Sequence, residues 1–317
     1  MRRGRGAIAA AAKTHIADFE RPLFDSFDGE GFAEEGGLYY KLNDEQAAGI
    51  VEFQKEVTYS GGGALKLTVR PLGRPLPDDA SERAEVWERP RLWVPYFRGV
   101  WYGFAVKFVD PPGDDRRYMI AQWKREILPN TSGDFSPFLA LRLRRGSLFA
   151  TVETNYHAPV HDFGRGVPAK AGTVETPVWL RPELGQMRAL VATDEIWHPG
   201  MAGLFHATTD KIRVIDRGGK LPSPNSGWID FVVYSQPGPD GSGRIELFAN
   251  GKWVVTVEGH IGHGEPFLGP RQYFKFGPYR APHDNEWTLY FDDFRRSFRR
   301  EDVLVSSGRN VSSAGSR

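Results

Sequence analysis

The chain has 317 residues, in which 41 Lys and Arg nearly balance 40 Asp and Glu, so the formal net charge is +1. A charge so close to zero gives no long-range attraction to nucleic acid, and a non-specific nucleic-acid binder is not expected. There is no cysteine, which excludes disulfides, thiolate-zinc sites and cysteine nucleophiles. Apolar residues make up 40% of the chain, and no apolar run approaches the ~20 residues of a membrane helix. We therefore expect a folded protein that does not span a membrane.

The N-terminus combines a basic start with a short alanine-rich stretch, as a signal peptide does. The apolar stretch is shorter than the ~7–15 residues of a signal's apolar region, and Lys13 interrupts it. We therefore expect residues 1–20 to be a flexible leader, with a cleaved signal as the alternative. The compartment stays open, and an extracellular or periplasmic location is favoured. Small polar residues predict a flexible tail at 301–317.

Short runs of alternating apolar residues follow one another along the chain, with turn residues between them. Aromatic residues make up 13% of the chain and Gly and Pro are frequent, which is typical of an all-β protein. The predicted strands cover residues 63–70, 83–87, 100–109, 118–124, 138–143, 148–155, 228–234, 244–249, 252–258, 273–279 and 287–294. The pair Asn250-Gly251 between two of them is expected to form a two-residue hairpin turn.

The chain shows no internal repeat and no low-complexity linker, so we expect one domain over residues 21–300 and a monomer. A short helix is predicted near residues 182–192. The stretch 158–226 is the least strand-like and is too long for an ordinary loop. We expect it to be a lid over a cleft or an insertion on the substrate side.

Several strands have one apolar face and one mixed face. In 138–144, three leucines share a face and Arg142 lies on the other. In 118–124, Met119 is expected beside Trp123, opposite Gln122 and Lys124. This pattern predicts a two-sheet sandwich whose open sheet carries a polar groove dotted with aromatic residues. Such a groove suits an extended polar polymer, and the alternative is a solvated outer face.

Three segments carry side chains suited to chemistry. In the first, Arg83, Glu85 and Trp87 point the same way on a strand. In the second, Gln122 and Lys124 share a face.

The third segment is Tyr-Phe-Lys-Phe-Gly-Pro-Tyr-Arg at 273–280. Tyr273, Lys275 and Tyr279 are expected on one face, with Arg280 directly after them. Gly277 between them would leave room for something to sit against the strand.

In this order the three segments resemble the Arg-x-Glu, Gln-x-His and Tyr-Phe-Lys-x-Gly-x-Tyr signatures of jelly-roll polysaccharide lyases, as found in family 7 alginate lyases. Glucuronan lyases and heparin lyase I share the jelly roll and related residues. The resemblance spans roughly residues 24–296. It implies an all-β fold, a β-jelly roll or concanavalin-like two-sheet sandwich with a concave substrate groove. It also implies β-elimination on a uronic-acid-containing polysaccharide, giving unsaturated uronate ends without a required cofactor.

Elimination removes the C5 proton of a uronate, whose carboxylate opposes further negative charge and must be neutralised by fixed donors. Arg83, a permanent cation, and Gln122, an amide donor, suit this role. Tyr279 could act as base or acid if a nearby cation lowers its pKa. Lys275 could be that cation or could contact the polymer.

The sequence departs from the family pattern at Lys124, where the signature has His. Tyr279 could act as both base and acid in a syn elimination. Alternatively, Lys124 could be the base or a further carboxylate clamp, or His157 could serve, since it shares a strand face with Asn155. Asn155 could be another neutralising amide. We favour Tyr279 in both roles; a site that binds sugar without cleaving it is a fourth alternative.

The remaining candidates concern the groove and a metal. By parity Trp87 and Trp101 are expected to face the cleft and stack on sugar rings, whereas Trp123 is expected in the core. Further substrate-binding candidates are Lys275, Asn155, Glu85, Arg142, Tyr273 and Arg280. A structural calcium is common between the first and last strands of jelly-roll carbohydrate enzymes; Asp28 or Glu30, a carbonyl near Gly63, and Asp293 would be its ligands. No histidine spacing indicates a catalytic metal.

Two other functions are compatible with such a sandwich. A retaining glycoside hydrolase needs two carboxylates ~5–5.5 Å apart, but Glu85 and Glu88 are predicted on opposite faces. A non-catalytic carbohydrate-binding module would need the aromatic residues only. The polymer itself stays open among alginate, glucuronan, heparin-type chains and bacterial exopolysaccharides, because a fold does not specify a substrate.

Overall fold

The structure, a computed structural model, describes residues 18–39, 48–72, 80–133, 135–155, 161–162 (backbone), 176–181, 184–198, 205 and 207–304. Within these ranges the helices are short 3-10 turns, and none is long and apolar enough to cross a membrane. These turns are Asp18–Glu20, Glu34–Gly36, Pro90–Leu92 and Arg300–Asp302. Residues 1–17 of the expected leader, His157, and residues 305–317 of the expected tail lie outside the described residues.

Two antiparallel sheets form the protein, and their strands are numbered β1 to β20 in chain order. Sheet one runs in spatial order β15 (Ile212–Asp216), β18 (Lys252–Ile261), β17 (Gly238–Ala249), β16 (Trp228–Gln236), β7 (Val100–Val109), β20 (Trp287–Ser297), β3 (Ala64–Val69) and β2 (Gly49–Gln54), with β1 (Leu23–Asp25) beside β20. Sheet two runs β11 (His161–Asp162), β14 (Ala207–Thr209), β12 (Thr176–Arg181), β13 (Gln186–Thr193), β10 (Ser147–Thr154), β9 (Leu139–Arg144), β8 (Tyr118–Arg125), β19 (Arg271–Arg280) and β4 (Glu82–Arg83), with β5 (Val86–Trp87) and β6 (Val94–Pro95) also along β19.

The core lies between the two sheets, where the apolar faces of the strands meet. Phe276 of sheet two packs against Phe291 of sheet one with ring centres 4.6 Å apart. Trp123 is fully buried, as expected from its parity. The all-β jelly-roll sandwich is therefore confirmed. The hairpin turn is confirmed as well, because Asn250 and Gly251 both have positive φ (49° and 73°), as a primed two-residue turn requires.

The described part of 158–226 consists of strands: it adds β11 to β14 to sheet two and β15 to sheet one. The helix expected near 182–192 is wrong: residues Gln186–Thr193 form β13. There the burial of Met187, Ala189 and Val191 follows the period of two that a strand produces. Val303 falls within the predicted flexible tail 301–317, but it is fully buried against sheet one.

Candidate active site

Strand β19 brings the three chemistry-bearing segments together. Tyr279 is paired in register with Arg83 on one side, and Lys275 is paired with Gln122 on the other. Lys275 also lies opposite Trp87. Segments separated by up to about two hundred positions therefore lie side by side on the outer face of sheet two, called the groove face below.

Bulges in β8 and β19 decide which side chains reach the groove face. The β8–β9 register shifts at Ile120, and the β8–β19 register shifts between Phe276 and Tyr279. Strict alternation placed Met119 on the core side, and this is wrong: Met119 lines the groove and Ile120 is in the core. A bulge adds a residue to one strand, so parity changes beyond it.

Gly277 sits at the β19 bulge with a φ of 126°, a conformation that favours glycine. A Cβ atom there would lie 2.1 Å from the carbonyl oxygen of Ala84. The space that the sequence suggested for a ligand is therefore filled by the chain's own backbone.

One pocket of about 340 Å³ on the groove face collects most of the predicted catalytic residues. Its lining includes Arg83, Gln122, Lys124, Arg142, Lys275 and Tyr279. The sequence analysis missed Arg117, Trp179, Arg181 and Arg188, which line the same pocket. Trp179 and Arg188 are cross-strand partners on β12 and β13. If residues 186–193 are taken as a strand, alternation places Arg188 on the face opposite Met187 and Ala189. The sequence analysis expected a helix there and therefore did not identify Arg188.

Glu85 is a buried carboxylate beneath this pocket rather than a substrate contact. Its side chain is 1% exposed. It accepts a hydrogen bond from Gln122 Nε2 at 2.5 Å and another from Lys275 Nζ at 2.9 Å. Arg83 Nη1 lies 3.8 Å from the same carboxylate. One negative charge therefore holds three candidate groups from three strands in place, which corrects the predicted substrate-binding role of Glu85.

Two guanidinium groups lie close to the ring of Tyr279. Arg83 is centred 4.5 Å from the Tyr279 ring centre, and Arg117 is 5.0 Å away. Arg83 is fixed by donating a 2.8 Å hydrogen bond from Nη2 to Ser81 Oγ. Positive charge beside the ring stabilises negative charge on the phenolic oxygen during proton transfer.

An aromatic stack continues the groove face beyond Lys275. Tyr273 lies between Trp87 and Trp93, with ring centres 5.3 and 4.6 Å away, and Lys275 Nζ is 4.8 Å from the Trp87 ring centre. Tyr273 is buried, and desolvation raises its pKa well above the usual range. Tyr273 therefore packs against Trp87 and Trp93, and its burial disagrees with the predicted substrate contact. Trp87 keeps its expected place on the groove face.

A second ion cluster lies on the far side of the pocket. Glu153 is fully buried and accepts a 2.7 Å hydrogen bond from Arg188 Nε, with Arg181 Nη1 3.7 Å away. Its position below two arginines parallels that of Glu85. Each side of the pocket thus has a buried carboxylate that pairs with buried or half-buried cations.

Three predicted contacts lie outside this pocket. Trp101 is on β7 of sheet one, where it packs against Tyr234 and Phe248, because parity gives a face of a strand and not the sheet that contains it. Arg280 is 1% exposed and paired with Glu82, since it follows Tyr279 and points to the core side.

Asn155 Oδ1 accepts a hydrogen bond from Gly264 N at 3.0 Å, and Asn155 is not part of the pocket lining. The contact roles predicted for Trp101, Arg280 and Asn155 are therefore not supported by their positions.

The two carboxylates expected to bind calcium differ in their contacts. Asp28 Oδ1 already accepts a hydrogen bond from Gly62 N. Asp293 is 6% exposed, and its Oδ1 has no partner among the described residues. The described part of the chain contains no group of three or more His, Cys, Asp or Glu side chains that could hold a metal ion.

Together, the two-sheet jelly roll and the cation-rich pocket on its groove face define a carbohydrate-active sandwich enzyme. A family model described as polysaccharide lyase matches residues 28–295, and the chain belongs to that family. The protein is a polysaccharide lyase. No curated protein matches the chain significantly.

Comparison with solved structures supports the fold. The chain is 15% identical to an endo-β-1,4-glucuronan lyase from the fungus Trichoderma reesei, with a TM-score of 0.56 over 89% of this chain and 97% of that one. A cellulose-induced protein, Cip1, is 14% identical with a TM-score of 0.47, covering 87% and 97% of the two chains. A family 7 alginate lyase is 13% identical with a TM-score of 0.40, covering 77% and 82%. The first match shows a shared fold, and the other two scores are too low to add to it.

Proposed function

We propose that the enzyme cleaves a uronic-acid-containing polysaccharide by β-elimination and leaves an unsaturated uronate at the new chain end. The observation that carries this proposal is the meeting of Arg83, Gln122 and Tyr279 in one pocket from three separate strands. These groups are the cation, the amide and the phenol that the chemistry needs. The substrate that the name of the glucuronan lyase neighbour gives agrees with a uronate.

Arg83 and Gln122 would neutralise the substrate carboxylate. Glu85 takes only one of the two N–H donors of the Gln122 amide, and the second remains for the substrate. Lys275 adds positive charge to the pocket wall while Glu85 holds its ammonium group. Because these groups are fixed before substrate arrives, they stabilise the enolate-like transition state without reorganising.

Tyr279 would transfer the proton in both directions. Its oxygen takes the C5 proton, the C4–C5 double bond forms, and the C4–O bond to the leaving sugar breaks. The same phenol then gives its proton to the leaving oxygen, which regenerates Tyr279 for the next turnover. Lys124 also lines the pocket, where a further cation fits a carboxylate clamp. His157 remains the alternative base, and it lies outside the described residues.

The rival hydrolase lacks support at this site. The described lining of the pocket includes no carboxylate side chain, whereas a retaining hydrolase needs two that reach the sugar. Glu85 is below the pocket, and Glu88 is on the core side, where Arg296 pairs with it at 3.0 Å. A carbohydrate-binding module without activity would not need two guanidinium groups beside Tyr279.

The test is ultraviolet absorbance during incubation with a panel of polyuronates that includes alginate and glucuronan. Elimination produces a conjugated unsaturated uronate that absorbs, a hydrolase produces reducing ends without absorbance, and a binding module produces neither. We expect Tyr279→Phe and Arg83→Ala to abolish the absorbance while the proteins remain folded. Tyr290→Phe, on sheet one, is the matched control and should keep wild-type turnover. Near-wild-type turnover of Tyr279→Phe would exclude Tyr279 as the acid and base.

The expected monomer and the absence of a required cofactor are part of the same proposal. Sedimentation should give the mass of a single chain, and a chelator should leave the elimination rate unchanged. A rate that falls with chelator and returns with calcium would instead support the calcium expected from the resemblance at Asp28 and Asp293.

A further inference from the structure

His263 is a fully buried titratable side chain that the proposed mechanism does not use. It follows the end of β18, where Gly262 N donates a 2.7 Å hydrogen bond to the carbonyl oxygen of Glu153 on β10. The two sheets therefore meet at this point. His263 lies beside the strand whose buried carboxylate pairs with Arg181 and Arg188 of the candidate active-site pocket.

The ring of His263 is connected to the pocket wall through Ser136. Its Nε2 lies 2.8 Å from the carbonyl oxygen of Ser136, and Ser136 lines the pocket. A carbonyl oxygen only accepts hydrogen bonds, so Nε2 carries the hydrogen of the neutral ring. The hydroxyl of Ser136 accepts a 2.7 Å hydrogen bond from Arg181 Nη1. His263 therefore lies directly behind a wall that presents a cation to the pocket.

The other ring nitrogen, Nδ1, is a buried acceptor with no hydrogen-bond partner among the described residues. The same is true of Glu153 Oε2, since Oε1 of that carboxylate accepts the hydrogen bond from Arg188. Buried polar atoms without partners are costly, and two acceptors cannot satisfy each other. A proton on Nδ1 turns that nitrogen into a donor, and the neighbouring carboxylate supplies the acceptor.

The backbone of His263 holds the ring in this position. Its amide N–H donates a 2.8 Å hydrogen bond to Tyr96 Oη, and its carbonyl oxygen accepts one of 2.5 Å from Arg125 Nη1. The ring of Phe135 packs edge-on with its centre 5.8 Å away. Burial raises the pKa of Tyr96, so this phenol stays neutral and Arg125 is the fixed charge on this side.

The charges around the ring decide when it takes up a proton. Burial lowers the pKa of His263 below its ordinary value, so the ring is neutral at pH 7. The carboxylates of Glu153 and Glu265 oppose this shift, whereas Lys124 on β8 adds to it. A further negative charge near the ring would raise the pKa again, and an anionic polymer in the pocket supplies such a charge.

We propose that His263 is a positioning residue that makes binding of the acidic polymer depend on pH: once protonated, it balances the charge of Glu153 and leaves Arg181 and Arg188 to the polymer. The polymer therefore binds more tightly as the pH falls. By reciprocity, its binding draws a proton onto His263. This inference rests on the proposed function and adds a pH-sensitive control to the same site.

The first experiment titrates the His263 ring in the free protein by NMR, with His263→Gln identifying the signal. We expect Glu153→Gln to lower the pKa of His263, because the imidazolium loses a carboxylate that favours it. Glu258→Gln, at a carboxylate 28% exposed on sheet one, is the matched control and should leave the titration unchanged. An unchanged titration in Glu153→Gln would overturn the pairing.

The second experiment measures binding of alginate and glucuronan by calorimetry in the Tyr279→Phe background, which prevents turnover. Uronate carboxyl groups ionise at about pH 3–4, so the polymer keeps its charge at pH 5 and at pH 7. We expect the dissociation constant to be about 5- to 10-fold smaller at pH 5. Buffers of different ionisation enthalpy should show proton uptake on binding at about pH 6.

The added substitution His263→Gln should remove both the pH dependence and the proton uptake. Glutamine places an amide N–H near the position of Nε2, so the hydrogen bond to Ser136 is kept while the titrating group is lost. His260→Gln, three residues earlier on β18 and half-buried, is the matched control and should keep both effects.

A pH dependence and proton uptake that His263→Gln leaves unchanged would overturn the inference while leaving the proposed function intact. The same holds if wild-type affinity is equal at the two pH values. A protein that binds no polyuronate at either pH would refute the proposed function instead, and the NMR titration then decides whether His263 and Glu153 share a proton. If Glu153→Gln does not fold, the comparison of His263→Gln with His260→Gln decides the inference.

Discussion

Glu85 gives the most direct test of how the candidate active site is held together. Its carboxylate is 1% exposed, and Lys275 beside it is 3% exposed. In a Glu85→Gln variant, Lys275 loses the carboxylate that contacts it, and the new amide is neutral. Gln122 and the new NH₂ group would also present donors to each other. Removing one partner of a buried ion pair costs about 3–5 kcal/mol, because the remaining charge stays out of water.

The matched control breaks an ion pair that water can replace. Glu52 and Lys66 are 2.7 Å apart on sheet one, and their side chains are 47% and 31% exposed. Glu52→Gln should therefore cost less than about 1 kcal/mol. Both variants are measured by urea unfolding followed through tryptophan fluorescence, and the elimination rate is measured on the same samples without urea. We expect Glu85→Gln alone to lower that rate, since Arg83 and Gln122 lose their common anchor.

A double-mutant cycle separates lost charge pairing from general damage. Adding Lys275→Met to Glu85→Gln removes the cation left behind, so the double variant should be more stable than the two single losses predict. The non-additivity should be about 1–3 kcal/mol. Effects that add within about 0.5 kcal/mol would refute the reasoning, because they would mean that Glu85 and Lys275 do not depend on each other.

Two further predictions concern the framework around the site. Gly277→Ala should cost about 2 kcal/mol or more in urea unfolding, because its φ is 126° and its Cβ would meet Ala84 O. Gly146→Ala, also at positive φ but with nothing within 4 Å, should cost less, and equal losses would contradict the packing argument. Burial raises the pKa of Asp292 to about 7. The folded state then binds a proton that the unfolded state has released, so this residue makes stability fall as the pH rises from about 4 to 7. Asp292→Asn should flatten the fall of stability with pH. An unchanged slope would mean that other groups cause this pH dependence.

Much of the architecture could be predicted from the sequence because alternation is a local property. The apolar faces of β7, β8 and β9 follow from a period of two, and the hairpin at Asn250 follows from turn chemistry. The pocket residues Arg83, Gln122 and Tyr279 could be predicted because the residue types and spacings that indicate them lie within short segments of the sequence. Each of these inferences needs only neighbours in the chain.

The rest depended on which strands pair, which alternation does not encode. Trp101 has the parity of a groove residue but belongs to sheet one. Met119 reaches the pocket through a bulge that only the pairing of β8 with β9 reveals. Glu85 became an anchor because Lys275, 190 positions later, pairs against its segment. A side chain's face is set by its own strand, whereas its partners and burial are set by distant segments, and only the tertiary structure brings those together.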